Sequence, residues 1–238
     1  GIDTINTDFQ VHPGTAYMLA AIKGRITLEY QQWNDAANLT TEYKSKFTWE
    51  KYPQYEALVY FAKGIGGGRS GNPKIAKLSF EKLELLQTAL GESRANFYWK
   101  AQIEVQKTVV KAWQLYAEKD MEKAKETMFL AAELEAATEK SPITPGELLP
   151  VREMLGDLLI EMNLPEEALE QYLLSLEDNP NRFNSLYGAG ISAELIGDEN
   201  KARDYFKSII EISGNSDLNR ERLVHASDFF NQIYKNGG

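Results

Sequence analysis

The sequence predicts an all-α chain built from stacked helical hairpins, and three observations carry that prediction. First, residues 149–216 fall into two halves of 34 residues that superimpose in residue type: Gly156 on Gly190, Leu159 on Ala193, Ala168 on Ala202 and Tyr172 on Phe206. Small residues recur where two helices touch, and aromatics recur where a neighbouring unit must be filled, which marks a helix–turn–helix repeat. Second, a small residue and an alanine stand twelve apart again upstream, as Gly24/Ala36, Gly64/Ala76 and Ala112/Ala124. Third, stretches such as AYMLAAIKGRITLEYQ place small or apolar residues at steps of three and four, the helical period.

The elements follow in chain order. Residues 1–14 are polar and aperiodic and end in a Pro-Gly breaker, so they read as an irregular lead-in. From Thr15 the helical period begins, and QQWNDAANL starts a partner helix to complete a first, degenerate hairpin. A second hairpin runs through FTWEKYPQYEALVYFAKGIGGGRSGNPKIAKLSFEKLELLQTAL, with Phe80 and Leu83 on its second helix. Asn72-Pro73 starts that helix, because proline in the first turn loses no intrahelical hydrogen bond. No Gly or Pro lies between Glu92 and Ser141, which predicts two long helices broken at Lys119-Asp120, with Asp120 as cap. Met128 and Ala131 take the later packing positions of this third hairpin. Hairpins one to three thus span 15–140, and SPITPG places a Pro/Gly turn over 141–148. The two well-formed units occupy 149–216. Residues 217–238 close the chain as a capping helix and tail, with Leu223, Ala226, Phe229, Phe230 and Ile233 on one side.

The reference alanines at 36, 76, 124, 168 and 202 are 40, 48, 44 and 34 apart, so only the last pair keeps the strict period. That last unit resembles the tetratricopeptide repeat (TPR), with Leu186 and Gly190 where the family has its Trp and Gly. The run ATEKSPITPGELLPVREMLGDLL, followed by EDNPNRFNSLYGAG, is similar to the C-terminal half of bacterial TPR proteins of unassigned role. FAKGIGGGRSG and YWKAQIEVQ share that likeness, which covers most of residues 24–215. The resemblance implies a right-handed α–α superhelix of about five TPR-like hairpins plus a C-terminal capping helix. It supplies no catalytic residues.

Composition bounds the partners. Of 238 residues 43% are hydrophobic and 11% aromatic, enough for a packed core. With 26 Lys plus Arg against 35 Asp plus Glu, the net charge of −9 argues against nucleic acid or an anionic membrane, which need a basic face. The absence of cysteine excludes disulfides, thiolate zinc sites and a Cys nucleophile. Wholly apolar runs such as Ala57–Ala62 fall far short of the roughly 20 residues of a membrane span. The chain opens on Gly1 rather than Met, which implies a removed upstream segment. A missing export signal is therefore no argument for the cytoplasm, and the compartment stays open.

Signals of chemistry are weak. GIGGGRSG contains a formal G-x-G-x-x-G at Gly66, Gly68 and Gly71, but a helix precedes it where a dinucleotide loop needs a strand. A flexible helix end and interhelix turn is the plainer expectation, with Arg69 at its edge. His12 and His225 stand at opposite ends of the chain, and acid pairs such as Glu133/Glu135, Glu166/Glu167 and Glu153/Asp157 read as solvated helix faces. No cofactor or metal is expected.

By the TPR resemblance, inward positions of each first helix line a concave groove. These are Leu58, Phe61, Ile65 and Arg69, then Gln106, Val109, Trp113 and Tyr116. The later units give Glu153, Asp157 and Ile160, then Asn184, Tyr187 and Ile191. Trp, Tyr and Arg are favoured as binding anchors, so Phe61, Arg69, Trp113, Tyr116, Glu153, Asp157 and Tyr187 are the candidate groove residues. In the other reading a short array closes on itself and these side chains fill a core. The lysine/asparagine/arginine clamp of chaperone-binding TPRs is missing, with Asp157, Asn184 and Glu161 in its places, so an acidic C-terminal tail is not the expected ligand. The function expected is a non-catalytic scaffold or adaptor that binds a neutral or basic protein segment. Two alternatives stay open: a small-ligand or enzymatic pocket near Gly64–Gly71, or a structural half of a longer repeat protein. The latter would leave an apolar face bare near Thr15–Tyr30.

Overall fold

The computed structural model describes residues 12–42, 48–138, 146–214 and 220–236, and every regular element among them is a helix. The prediction of an all-α chain holds. The turn over 141–145 and the lead-in before His12 lie outside the described residues, as does the side chain of Ile233. The chain divides into two compact units, residues 1–151 and 152–238.

The first unit holds α1 (Pro13–Glu29), α2 (Trp33–Ala37), α3 (Pro53–Arg69), α4 (Pro73–Ala89), α5 (Phe97–Ala117) and α6 (Met121–Ala136). The first helix starts two residues before Thr15: Pro13 stands at its N1 position, and Gly14 N–H donates to the His12 ring. Proline there is preorganised for a helix, so Pro-Gly begins this element instead of breaking the chain. α3 is central and packs against α1, α2, α4 and α5. The second unit holds most of α7 (Val151–Glu161), then α8 (Pro165–Asp178), α9 (Phe183–Ile196), α10 (Glu199–Ser213) and α11 (Glu221–Asn236). Here α8 packs on α9, α9 on α10, and α10 on α11. Among the described residues no helix is long and apolar enough to cross a membrane.

One turn is made five times. Gln31, Gly71, Lys119, Asn163 and Gly197 all have positive φ. Each is followed by an amide that donates five residues back: Gln32 to Thr27 O, Asn72 to Gly67 O, Asp120 to Leu115 O, Leu164 to Leu159 O and Asp198 to Ala193 O, at 2.7–3.0 Å. This is the Schellman closure of a helix end. The same five residues then cap the next helix through their carbonyls, which accept from the N–H of Ala36, Ala76, Ala124, Ala168 and Ala202. All five alanines are fully buried, since each faces its partner helix where a larger side chain would force the pair apart. Asp120 does stand at the cap position, but its carboxylate pairs with Lys123 Nζ at 2.7 Å and makes no cap hydrogen bond.

The glycine run corrects the sequence reading. Gly64, Gly66, Gly67 and Gly68 are buried inside α3, and the turn waits for Gly71. A Cβ on Gly66 would stand 2.4 Å from Ala37 N, and one on Gly68 2.5 Å from Trp113 Cβ. Glycine is present because α2 and α5 approach the α3 backbone too closely for any side chain. In the second unit the repeat matches become contacts. The Tyr172 ring fills the space beside Gly156 and Gly188, and Phe206 does the same against Gly190.

Candidate partner-binding surfaces

The first unit holds a short piece of its own chain across its first helices. Residues 146–150 are not helical, yet Leu148 and Leu149 are buried, and Leu148 Cδ1 reaches the α1–α3 contact at Gly24 and Ala62. Side chains satisfy the backbone of this segment. Gly146 N–H donates to Tyr98 Oη at 2.9 Å, and Gly146 O accepts from Gln106 Nε2 at 3.0 Å. Glu147 O accepts from Arg25 Nη2 at 3.0 Å, and Val151 N–H donates to Glu135 Oε2 at 2.8 Å. Buried backbone groups outside helices need such partners. An aromatic row supports the arrangement: Tyr17 and Trp99 meet Tyr55 edge-on at 5.6 and 5.4 Å, and Tyr98 meets Trp99 at 5.2 Å. Burial pushes the Tyr17 phenol above its ordinary pKa, against the charge of Arg25 beside it.

At the far end of α3, the Arg69 guanidinium lies between two indoles, 4.3 Å from the Trp33 ring centroid and 4.5 Å from that of Trp113. Tyr116 meets Trp113 edge-on at 5.6 Å. Phe61 and Trp113 are 2% and 0% exposed, so these two candidate anchors are core residues, while Arg69 and Tyr116 are half-buried. Beside Gly64, Gly66, Gly67 and Gly68 the space next to the α3 backbone is taken by residues of α2, α4 and α5. Gly66 and Gly68 sit inside a helix and so offer no free amides to a phosphate.

In the second unit Glu153 is also buried. Its carboxylate accepts from Arg182 Nε and Nη2 at 2.7 and 2.8 Å and from Ser185 Oγ at 2.6 Å. Burial pushes this carboxyl above the usual range, and the Arg182 charge works against that rise. Asp157 is half-buried and accepts from Tyr172 Oη at 2.7 Å, and burial followed by the Asp157 charge holds that phenol far above its ordinary pKa. Asn184 Oδ1 accepts from both Arg220 and Arg222, at 2.7 and 3.0 Å. Arg222 also lies over Tyr187, whose ring packs on Phe206 and His225. Tyr187 keeps a half-buried position, with a phenol raised by burial.

The candidate set therefore splits: Arg69, Tyr116, Asp157 and Tyr187 present surface, whereas Phe61, Trp113 and Glu153 are enclosed. The sequence reading missed the segment 146–150, Trp33 and the arginines 182, 220 and 222, which lie in loops or next to helix starts where the helical period gives no signal. An open cavity of about 420 Å³ lies elsewhere, between α10 and α11, lined by Lys207, Ile210, Glu211, Ser227, Phe230 and Asn231. Its charged residues are occupied with each other, Lys207 Nζ standing 3.7 Å from Glu211. Among the described residues no group of three or more His, Asp or Glu is placed to hold a metal. Compared with protein-family models the chain matches none. A comparison with curated proteins also finds no match.

Proposed function

We propose that this chain is a non-catalytic binding scaffold of TPR-like hairpins, three in the first unit and two in the second, which holds extended polypeptide along its first helices. The observation that carries this reading is the segment 146–150. Tyr98, Gln106 and Arg25 hold its backbone while Leu148 fills the contact between α1 and α3. Side chains on helices thereby do for one stretch of backbone what a partner peptide would require, with an apolar anchor for affinity and polar groups for orientation. The five repeated turns support the repeat assignment, since their geometry recurs where their sequences differ. The occupant of the first unit is the chain itself. A partner segment therefore meets the half-buried anchors that stay accessible, Tyr187 and Asp157 in the second unit and Tyr116 with Arg69 in the first. The net charge of −9 favours a neutral or basic segment.

A peptide-display selection against the full chain tests this. The expected outcome is enrichment of a shared short motif whose binding weakens at least 10-fold in Tyr187→Ala or in Tyr116→Ala, measured below the melting temperature of each variant and with its helical circular dichroism intact. No enrichment, or equal binding by the parent and both variants, would sink the scaffold reading.

A further inference from the structure

α1 carries Met18, Ile22 and Ile26 at steps of four, and these side chains are 56%, 47% and 50% exposed. Three large apolar residues in one row on a single helix form a patch, not a scatter of single exposures. The corresponding positions in other hairpins are found by aligning Gly24, Gly64, Ala112 and Gly190, each twelve residues before its reference alanine. They are Leu58, Ala62 and Gly66 on α3, Gln106, Val110 and Gln114 on α5, and Asn184, Gly188 and Ser192 on α9. All nine are buried.

At the middle position of each helix, and at Gly66, the cover comes from the hairpin before. Gly66 lies under Ala36 and Ala37 of α2, and Ala62 meets Gly24 of α1. Val110 lies against Gly64 of α3, and Gly188 beneath Tyr172 of α8. Ala62, Val110 and Gly188, with Gly66 one turn on, thus receive the preceding hairpin in α3, α5 and α9, whereas Gln106 and Asn184 are held by Gly146 and by Arg220 and Arg222. In α1 the equivalent of that receiving position is Ile22, flanked by Ile26 and Met18, and the row is apolar and exposed. It also differs in size, since Ile22 and Ile26 stand where α3 has Ala62 and Gly66, so the helix that fits it must stand further off or present small side chains.

We infer that the Met18–Ile22–Ile26 row of α1 is a docking surface for one further helical hairpin of the same kind, seated as α1–α2 sits on α3. This rests on the repeat reading above and extends it, because it names a second surface, on α1, with a helical rather than an extended ligand. Continuity with the interface already made by α1–α2 on α3 selects a hairpin as the occupant.

The test uses the full chain and a display library of two-helix peptides built on residues 182–214, with outward positions of both helices randomised. Enriched hairpins are expected to lose at least 10-fold in affinity for Ile22→Glu and for Met18→Gln/Ile26→Gln. They should bind Leu85→Glu as well as the parent, because Leu85 is an exposed leucine (67%) on α4, away from the row. All three variants replace exposed side chains, and unchanged melting curves would verify their folds. Failure to enrich any hairpin, or enrichment insensitive to Ile22→Glu, overturns the inference. Sedimentation supplies a further arm: a parent dimer converted to monomer by Ile22→Glu would show a second copy of this chain as the occupant, and would equally overturn it. Success of the peptide selection at Tyr187 beside failure here would leave the scaffold reading standing and remove only this surface.

Discussion

Glu153 and Arg182 show what a single pair contributes to the second unit. The carboxylate is 2% exposed and takes two of its three hydrogen bonds from one guanidinium and the third from the Ser185 hydroxyl. Replacing such a pair by apolar residues is often harmless, but removing one partner strands a buried charge at a cost of about 3 kcal/mol or more. Arg182→Ala is therefore expected to destabilise the second unit by about 3 kcal/mol at neutral pH, measured by denaturant titration. Adding Glu153→Gln should recover much of that loss. The pH dependence has a definite sign. Burial already raises the Glu153 carboxyl, and without Arg182 only the Ser185 hydroxyl opposes the rise, so the folded protein binds a proton that the unfolded chain has released. Stability of Arg182→Ala should therefore fall, relative to the parent, as pH rises above the ordinary glutamate value of about 4.3. A gap between parent and variant that stays constant from pH 5 to pH 7.5 would show that Glu153 is not the group left stranded.

The glycine run of α3 sets local propensity against packing. Alanine is favoured over glycine by about 1 kcal/mol inside a helix. Propensity alone thus predicts that Gly66→Ala stabilises the first unit. The structure predicts the reverse: a Cβ there would meet Ala37 N at 2.4 Å and Ala36 C at 2.7 Å, backbone atoms that no rotamer change can move aside. Overpacking of this kind costs about 1–3 kcal/mol. Gly66→Ala is expected to lower the melting temperature of the first unit, and a rise would mean that α2 yields easily. The same competition decides what was legible in the sequence. Helices with a clear 3.6-residue period could be read, as could the five alanines, because burying a small residue between helices leaves a mark at fixed spacing. The run GIGGG was misread as a turn because its low propensity is visible locally, while the close approach of α2 and α5 is not. The repeated turn was hidden for another reason. Its positive-φ position is held by Gln31, Lys119 and Asn163 as well as by Gly71 and Gly197, so composition alone cannot find it. Of the candidate groove residues, the aligned frame chose inward-facing positions, but it could not tell that Leu148 and its neighbours occupy the first unit or that Trp113 is enclosed with Gly68 and Arg69 against it.

Over the whole molecule, 35 acidic side chains against 26 basic ones leave a net charge of −9 on a chain of 238 residues. Several ion pairs are local and exposed, such as Lys201–Asp198 at 3.1 Å and Lys207–Glu211 at 3.7 Å along α10. Pairs of that kind contribute roughly 0–1 kcal/mol each, and salt screens them. Net repulsion acts in the other direction, since compaction brings the uncompensated carboxylates closer together, and salt screens that as well. Residues 152–238 carry 16 acidic against 8 basic side chains and so hold eight of the nine excess charges, and relief of repulsion within that stretch should exceed the loss from a few weak pairs. Raising NaCl from 10 mM to 150 mM at pH 7 is therefore expected to increase the melting midpoint. About 1 kcal/mol of relieved repulsion corresponds to roughly 2–4 °C for a chain of this size. The opposite shift, a midpoint that falls with salt, would show that attractive pairs outweigh the net charge in holding the folded chain together. The anionic surface would then be better balanced than its composition implies, and the preference for a neutral or basic partner would have to rest on local residues such as Asp157 instead of on the field of the whole molecule.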